Sequence, residues 1–414
     1  MRSQRRLLGG LGALSSLVAF STIAGVHCSS TPLLSAAGED AGLLTEDSSP
    51  GIDSTAPSSD AGVDAPSDSS ADAATDVASS DASDASADAE TDASDGSVVD
   101  AGPITEFAIP TASALAPAIT AGPDGALWFT EFGGNKIGRI TTSGTIEELS
   151  VPTTGGAPQG IAKGPDGALW FTEEDGNKIG RIVTAADGGA PAFSEFPVLT
   201  ASASPFGITA GPDGNVWFTE QTGNNIGRIT TGADGGVPTI SEFPIPTAGS
   251  DPVGIATGPD GNLWFVESST NKIGQITTGA DGGTPTITEF TIPTPSCFAV
   301  FITAGVDGAL WFTEFNGNKI GRITTAGTIE EFPVPTTGGS PQGITTGPDG
   351  AIWFTEYLGD KIGRMTAGAD GGAAAEFSVP TSLSAPDGIT SGPDGNLWFT
   401  EYVAAGNKVG RLTP

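Results

Sequence analysis

The sequence predicts an all-β protein whose main domain is a seven-bladed β-propeller. Three observations support this prediction: one tryptophan recurs every 42 to 47 residues, each repeat has four strand-like segments, and one extra outermost segment precedes the first repeat. A period of this length that fills most of a chain is typical of propellers, whose blades are four-stranded sheets. The tryptophans are Trp128, Trp170, Trp217, Trp264, Trp311, Trp353 and Trp398.

Each repeat contains a turn signal between short strand-like segments. GPDG suits a tight turn, because proline presets its own φ and the last glycine accepts positive φ. LWFTE and KIGRIT are rich in aromatic and β-branched residues, and glycine and asparagine separate them as in a hairpin. A Gly-Ile-Thr segment before the turn and an EFPIPT-like segment after KIGRIT complete four strands. No segment after residue 103 keeps the spacing of an amphipathic helix.

The chain ends predict how the ring closes. The EF-type outer segment first occurs at Glu106 and Phe107, ahead of the first tryptophan, while the last repeat, 388–414, stops after KVGRL without one. We therefore expect residues 104–109 to supply the fourth strand of the seventh blade. Pairing the two chain ends in this way leaves no open sheet edge.

Residues 1–28 read as an export signal. Arg2, Arg5 and Arg6 precede an apolar run without acidic residues, which is typical of a signal peptide, with a transmembrane segment as the alternative. GVHC at 25–28 resembles the lipobox of bacterial lipoproteins, which implies lipidation of Cys28, although His27 is unusual there. Ser29 after the cysteine favours the outer membrane by that family's sorting habit. A plain secreted form is the alternative.

We expect residues 29–103 to be a disordered acidic tether. Alanine, serine and aspartate dominate, with 17 Asp or Glu, no Lys or Arg and no aromatic residue. Such a segment cannot bury enough apolar surface to offset the entropy of ordering, and like charges extend it. We expect it to space the propeller, 104–414, from a membrane surface; binding a specific partner through its charge is the alternative.

The net charge of the propeller limits the classes of partner that we expect it to bind. Residues 104–414 carry a net charge of about −19, which argues against nucleic acid and anionic membrane faces. We expect a monomer that touches a membrane only through its lipid anchor. The basic residues repeat from blade to blade and are therefore expected to be scaffold: Glu131 opposite Lys136 as an ion pair, and Arg139 over Trp128 as a cation–π contact.

Variable positions near the central channel are the candidate site. Aligning the Pro-x-Gly-Ile segments of the inner strands puts Pro117, Gln159, Phe206, Val253, Val300, Gln342 and Asp387 at position x, and the fifth repeat adds Phe298 and Phe301. We expect a ligand pocket lined by Gln159, Phe206, Phe298, Phe301, Gln342 and Asp387; the alternative is that this ring only plugs the channel. A second ring after FTE holds Glu174 and aromatic residues. Cys297 has no histidine beside it and is expected to be inert, and Lys163 is expected to be exposed.

The repeated pattern PxGIT, GPDGxLWFTE, NKIGRIT and ITEFPIPT over 104–414 resembles the virginiamycin B lyase (streptogramin B lyase) family, with a general likeness to NHL-type repeats. The resemblance implies a seven-bladed propeller and Mg²⁺-assisted elimination across the ester C–O bond of a cyclic depsipeptide antibiotic. It also implies two functional histidines, at positions that are Gln342 and Asp387 here. A family glutamate corresponds to Ala385, and another to Tyr402 or Glu401.

Two hypotheses of function follow. The one we favour is an exported, lipid-anchored propeller that binds a small molecule, a peptide or a cell-envelope ligand and needs no cofactor. The second is a C–O lyase of the family type, conferring antibiotic resistance, in which Asp387 or Glu174 replaces the missing histidine base and Mg²⁺ is required. An unrelated hydrolytic activity and a purely structural role stay open.

Overall fold

The computed structural model describes residues 104–184, 190–232, 236–279, 283–368, 372, 374–403 and 405–414. Over these ranges the chain is all-β and contains no α-helix, as the sequence predicts. Accordingly, these residues include no helical segment that could cross a membrane. The predicted signal peptide with Cys28 and the predicted tether lie outside the described residues.

Seven four-stranded antiparallel sheets make up this part of the chain, and each is one blade. Blades one to four comprise β2 (Ile119–Ala121), β3 (Leu127–Glu131), β4 (Lys136–Ile140) and β5 (Ile146–Ser150); β6 (Pro158–Lys163), β7 (Leu169–Glu173), β8 (Lys178–Val183) and β9 (Ala192–Pro197); β10 (Pro205–Ala210), β11 (Val216–Glu220), β12 (Asn225–Ile229) and β13 (Ile240–Pro244); and β14 (Pro252–Thr257), β15 (Leu263–Glu267), β16 (Lys272–Ile276) and β17 (Ile287–Thr291).

Blades five to seven repeat the same order, from an inner strand at the central axis to an outer strand at the periphery. They comprise β18 (Ala299–Ala304), β19 (Ala309–Glu314), β20 (Lys319–Thr324) and β21 (Ile329–Pro333); β22 (Pro341–Thr346), β23 (Ile352–Glu356), β24 (Lys361–Met365) and β25 (Ala375–Ser378); and β26 (Pro386–Ser391), β27 (Leu397–Glu401), β28 (Lys408–Leu412) and β1 (Thr105–Ala108).

The two ends of the domain close the ring as predicted. Strand β1 pairs antiparallel with β28, so that Phe107 lies opposite Val409. The Phe107 ring stacks on Trp398 with 5.6 Å between centroids, the same contact that the outer-strand phenylalanine makes in the third and fifth blades. The predicted closing strand is therefore confirmed, and the seventh blade is built like the others.

Apolar side chains fill the interfaces between neighbouring blades. Trp128 of the first blade is fully buried and packs with Leu169 and Phe171 of the second. At the closing interface Trp398 packs in the same way with Phe129. The glycine of KIGRIT makes this packing possible, because a Cβ on Gly138 would lie 2.0 Å from the Phe129 ring. Each interface thus gains its stability from buried aromatic surface.

The aspartate of GPDG joins the turn to the sheet. Asp124 accepts a 3.0 Å hydrogen bond from the Trp128 indole and a 2.7 Å ion pair from Arg139. The Arg139 guanidinium lies 6.0 Å from the Trp128 ring centroid, which confirms the predicted cation–π contact. Gln275, which breaks the arginine pattern, keeps the same link through a 2.8 Å hydrogen bond to Asp260.

The predicted ion pair between Glu131 and Lys136 is wrong. The two residues do lie opposite each other in the register. The Lys136 ammonium instead reaches outward to Glu148 on the outer strand at 2.6 Å and to the Thr111 hydroxyl at 2.6 Å. There it stays partly hydrated, whereas Glu131 is fully buried, and desolvating both charges would cost more than their attraction returns.

A buried glutamate ends the second strand of every blade. Each is fully buried, and each has at least one carboxyl oxygen without a hydrogen-bond partner among the described residues. Burial raises the pKa of Glu173 to about 7, and the nearby Glu195 carboxylate adds to the effect. Where Asn225 replaces the usual lysine, its amide donates a 2.8 Å hydrogen bond to Glu220. The seven residues are Glu131, Glu173, Glu220, Glu267, Glu314, Glu356 and Glu401.

Candidate functional site

The candidate site is the end of the propeller at which the inner strands begin, which we call the mouth. Three positions in each blade face it. The floor positions are Pro117, Gln159, Phe206, Val253, Val300, Gln342 and Asp387; the turn positions, directly after FTE or its variants, are Phe132, Glu174, Gln221, Ser268, Phe315, Tyr357 and Tyr402; the loop positions, two residues before the floor, are Leu115, Ala157, Ser204, Asp251, Phe298, Ser340 and Ala385.

Main-chain hydrogen bonds fix these positions relative to each other. The amide of each turn residue donates to the carbonyl of the loop residue in the same blade, as from Glu174 to Ala157 at 3.1 Å and from Tyr402 to Ala385 at 3.0 Å. Every loop position has positive φ, for example 57° at Asp251. Although only glycine adopts this conformation freely, none of the seven is glycine.

An amide or carboxylate from the preceding blade holds each of these loops. Asn135 accepts a 3.2 Å hydrogen bond from the Ala157 amide and donates a 2.9 Å hydrogen bond to the Thr153 carbonyl. In the seventh blade Asn407 does the same for the loop that leads into the first blade. The backbone at the mouth is therefore set by these clamps, which are Asn135, Asn177, Asn224, Asn271, Asn318, Asp360 and Asn407.

Two floor residues form a buried polar pair. Gln342 and Asp387 are each only 4% exposed and are hydrogen-bonded to each other. Burial raises the pKa of Asp387 to about 8, although the hydrogen bond from Gln342 opposes the rise. Oδ1 of Asp387 has no hydrogen-bond partner among the described residues, and the same holds for Oε1 of Gln159. The floor thus contains acceptors whose capacity is unused.

Below the floor, the central channel narrows to a cavity of about 150 Å³. It is lined by the glycines and isoleucines of the inner strands and by Phe301, which stands where the other blades have glycine or alanine. The Phe301 ring lies 6.3 Å from the ring of Phe206, which is 4% exposed. The rings of these two predicted ligand-binding residues therefore lie against each other.

Aromatic side chains cover one side of the mouth. The Phe298 and Phe315 rings meet edge to face at 6.4 Å, Phe315 and Tyr357 are 5.9 Å apart, and Tyr357 and Tyr402 are 6.3 Å apart. Phe298 and Phe315 belong to the fifth blade, Tyr357 to the sixth and Tyr402 to the seventh, so the four rings form a continuous series across three blades. We call these four residues the aromatic arc. Burial and the Asp387 charge raise the pKa of both tyrosines, which keeps their hydroxyls protonated.

The second to fourth blades bring carboxyl groups to the other side of the mouth. We call Glu174 and Asp251 the acidic arc; they lie close enough to repel each other. Burial raises the pKa of Glu174 to about 7, and the charges of Asp175 and Asp251 add to it. Burial also raises the pKa of Asp251, although hydrogen bonds from Ser269 and Gln221 oppose the rise.

Comparison with known proteins gives the family. The model of the Virginiamycin B lyase family matches residues 70–238 and 193–414. The chain belongs to the virginiamycin B lyase family. A solved streptogramin B lyase is 39% identical over 75% of this chain and 97% of its own, with a TM-score of 0.67. Comparison with curated proteins found no significant match.

Two further family structures come from Staphylococcus aureus. Selenomethionine-substituted virginiamycin B lyase is 39% identical over 75% of this chain and 99% of its own, with a TM-score of 0.67. A catalytically inactive histidine-to-alanine variant of that enzyme, with quinupristin, is 38% identical over the same shares with the same TM-score. The family and the predicted seven-bladed architecture are therefore both established for this chain.

This chain has no histidine at the two positions where the family resemblance implies functional histidines. The only histidine of the sequence is His27, so the described residues contain none. Gln342 and Asp387 stand where the family resemblance implies histidines, and in this structure the two side chains are hydrogen-bonded to each other in the floor. An imidazole pair is thus replaced by an amide and a carboxyl group that share a hydrogen bond.

The described residues also do not suit the magnesium ion that the family resemblance implies. They contain no group of three or more His, Cys, Asp or Glu placed to hold a metal ion. Gln342 replaces one of the implied functional groups, and alanine stands at position 385, where the resemblance implies a glutamate. Mg²⁺ prefers several oxygen ligands in near-octahedral geometry, and this floor supplies one carboxyl group.

The remaining candidates lie away from the mouth or were not predicted. Cys297 is fully buried, and burial raises the pKa of its thiol, so it is no nucleophile. Lys163 ends β6 at the opposite end of the propeller and is exposed. Asp251 was missed because only the floor and turn positions were aligned. Aligning the repeats two residues earlier would have shown it as the one carboxylate at the loop position.

Proposed function

We propose that this protein is a ligand-binding member of the virginiamycin B lyase family, which holds a small organic molecule or a peptide at the mouth without the family's elimination reaction. The observation that carries this proposal is the buried pair of Gln342 and Asp387 at the two histidine positions. In the Staphylococcus aureus relative, a histidine-to-alanine variant is catalytically inactive. The described part of this chain has no histidine that could take the place of that residue.

The composition of the mouth supports binding of an organic ligand. Ligand sites are concave and largely apolar, with a few polar groups that set orientation. Here the aromatic arc supplies a continuous apolar surface, and Oδ1 of Asp387 and Oε1 of Gln159 are acceptors that no described residue satisfies. Leaving a buried acceptor unsatisfied costs about 1–3 kcal/mol. A ligand donor at these atoms would recover that cost.

The test is to measure binding and turnover of quinupristin separately with the purified chain. We expect calorimetry to detect binding, while mass spectrometry shows the ligand unchanged. Tyr357→Ala should weaken binding at least tenfold because it interrupts the aromatic arc. Val306→Ala removes an exposed apolar side chain at the opposite end of the propeller and should change nothing. Absence of binding, or equal effects of the two variants, would contradict the proposal.

A second candidate is a lyase that uses Asp387 as its base, and the raised pKa of about 8 favours it. A carboxylate with that pKa is basic enough to remove a proton from the carbon next to the one that carries the ester oxygen, where an adjacent carbonyl makes this proton acidic. The electron pair then forms a C=C bond between these two carbons, the alkyl C–O bond of the ester breaks, and the ester leaves as a carboxylate. The protonated hydroxyls of Tyr357 and Tyr402 would stabilise the enolate oxygen. Ring opening above the uncatalysed rate that Asp387→Asn abolishes would establish this candidate.

We also propose that the protein is exported and anchored through lipidated Cys28, with 29–103 as the spacer. The basic and apolar sequence of 1–28 and the acidic composition of 29–103 support this proposal. Cells expressing the protein should incorporate labelled palmitate into it, and Cys28→Ser should abolish the label. An unlabelled wild-type protein in the medium would instead indicate the plain secreted form.

A further inference from the structure

We propose that the mouth selects an organic cation that carries an aromatic group, with its charged nitrogen at the acidic arc and its ring against the aromatic arc. This inference rests on the proposed binding function and names the class of ligand. It concerns the division of the mouth into two unlike sides, which follows from the order of the blades. The carboxyl groups of blades two and four lie across the mouth from the rings of blades five to seven.

The acidic arc has no cation of its own. The twenty-one floor, turn and loop positions contain no lysine or arginine. Glu174 and Asp251 repel each other, and Glu174 also acts on the Tyr402 hydroxyl, so its charge reaches the mouth opening. A pair of partly buried carboxyl groups without a counter-ion is costly. An ammonium group placed between them would lower that cost, whereas a carboxylate ligand would raise it.

The aromatic arc suits the remainder of such a ligand. Tyr357 and Tyr402 are both partly exposed at the mouth. Their ring planes are tilted by 48° to each other. A planar ligand ring between them can therefore make an edge contact with one tyrosine and an offset contact with the other. The faces of tyrosine rings also attract cations at short range. The aromatic arc therefore favours the ring of an aromatic ammonium ion and does not repel its charge.

A separate observation points to a ligand at this place. Asp387 is 4% exposed, its charge acts on the hydroxyls of Tyr357 and Tyr402, and it has an oxygen without a hydrogen-bond partner among the described residues. Gln159, in the blade that also carries Glu174, has an unpartnered oxygen as well. Both atoms are acceptors. The ligand that satisfies them must donate hydrogen bonds, as a primary ammonium group does.

An inorganic cation fits this mouth less well. The carboxyl groups at the mouth are distributed over different blades, and the described residues contain no cluster of three ligands. A divalent ion needs six or more oxygen ligands at short, defined distances. An ammonium ion tolerates two carboxylates at longer range and gains from the adjacent rings. The structure therefore favours the organic cation.

The experiment compares two probes of nearly equal shape, 2-phenylethylammonium and neutral 2-phenylethanol, by calorimetry at pH 8 and low salt with the full chain. The cation should bind at least tenfold more tightly. Glu174→Gln should remove most of that preference without affecting 2-phenylethanol. Glu147→Gln removes an exposed carboxylate of outer strand β5 and should leave both affinities unchanged. Tyr357→Ala should weaken both probes.

Three results would overturn the inference. Equal affinity for the two probes, or a preference that survives Glu174→Gln, would show that the acidic arc does not select charge. Competition by millimolar Mg²⁺ that depends on Glu174 would indicate an inorganic cation site. Binding of neither probe would also refute it. In each case binding of quinupristin decides the proposed function independently, so the two failures can be told apart.

Discussion

Replacing one buried glutamate tests the electrostatic interpretation of the blade interior. Glu173 is fully buried, and burial with the adjacent Glu195 carboxylate raises its pKa from 4.5 to about 7. The native state therefore holds a proton between those pH values that the unfolded chain releases. By linkage, stability is lost as the pH rises from 4.5 through 7, and this loss is complete above pH 7. Glu173→Gln keeps the shape and removes the ionisation.

The size of the effect follows from the pKa difference. A rise of about 2.5 corresponds to about 3 kcal/mol at most, and we expect about 1–3 kcal/mol for one carboxyl group. Glu173→Gln should therefore raise the free energy of unfolding by that amount at pH 8.5 and change it little at pH 4. An amide is tolerated beside these buried groups, since Asn225 donates a hydrogen bond to the buried Glu220 in the third blade.

The assay is guanidinium unfolding followed by tryptophan fluorescence at pH 4 and pH 8.5. Glu195→Gln is the matched control. Although burial opposes it, hydrogen bonds from Lys178 and Thr153 hold the pKa of Glu195 below its usual range, so this change should destabilise the protein at pH 8.5. If Glu173→Gln instead destabilises equally at both pH values, the carboxyl group is not protonated in the fold and the reasoning is wrong.

Three further predictions concern the closure, a missing lysine and the mouth. Phe107→Ala should lower the free energy of unfolding by about 2–3 kcal/mol, because it removes the ring that packs on Trp398 in the closing blade; unchanged thermal unfolding would contradict this. Asn225→Lys should stabilise the protein by at most about 1 kcal/mol at pH 8, measured by guanidinium unfolding, because it restores the lysine that Glu242 lacks; a loss of stability would show that the Asn225 amide matters more. Binding of 2-phenylethylammonium should weaken from pH 8 to pH 5.5, because the pKa of Glu174 is about 7 and protonation removes its charge; 2-phenylethanol should show no such change.

The fold could be predicted closely because the same four-strand pattern occurs in seven consecutive repeats. The tryptophan spacing, the turn signal and the displaced outer segment at Glu106 and Phe107 gave the number of blades, the strand order and the closure, and the register of β1 with β28 agrees. What failed was a side-chain detail. The register places Lys136 opposite Glu131, but the register alone does not show which side chain keeps access to water.

The site was harder to predict because burial depends on neighbouring blades. Gln342 and Asp387 were singled out separately, and their contact follows only from the spacing of adjacent inner strands. Phe206 and Phe301 were both predicted to line the ligand pocket, and the proximity of their rings across two different blades could not be read from the sequence. Asp251 was missed because the sequence does not show that the loop position, two residues before the floor, also faces the mouth.

The asparagine clamps have a consequence for how the mouth accepts change. Asn135 and the other asparagine clamps bind each loop through its main-chain atoms, and Asp360 adds one bond from the Ser384 hydroxyl, so the side chain at the loop position itself contributes little to holding its own backbone. Aspartate, phenylalanine, serine, leucine and alanine all occupy that place in one molecule. New chemistry can thus be installed at one end of the ring, blade by blade, while the interfaces that keep the domain folded stay as they are.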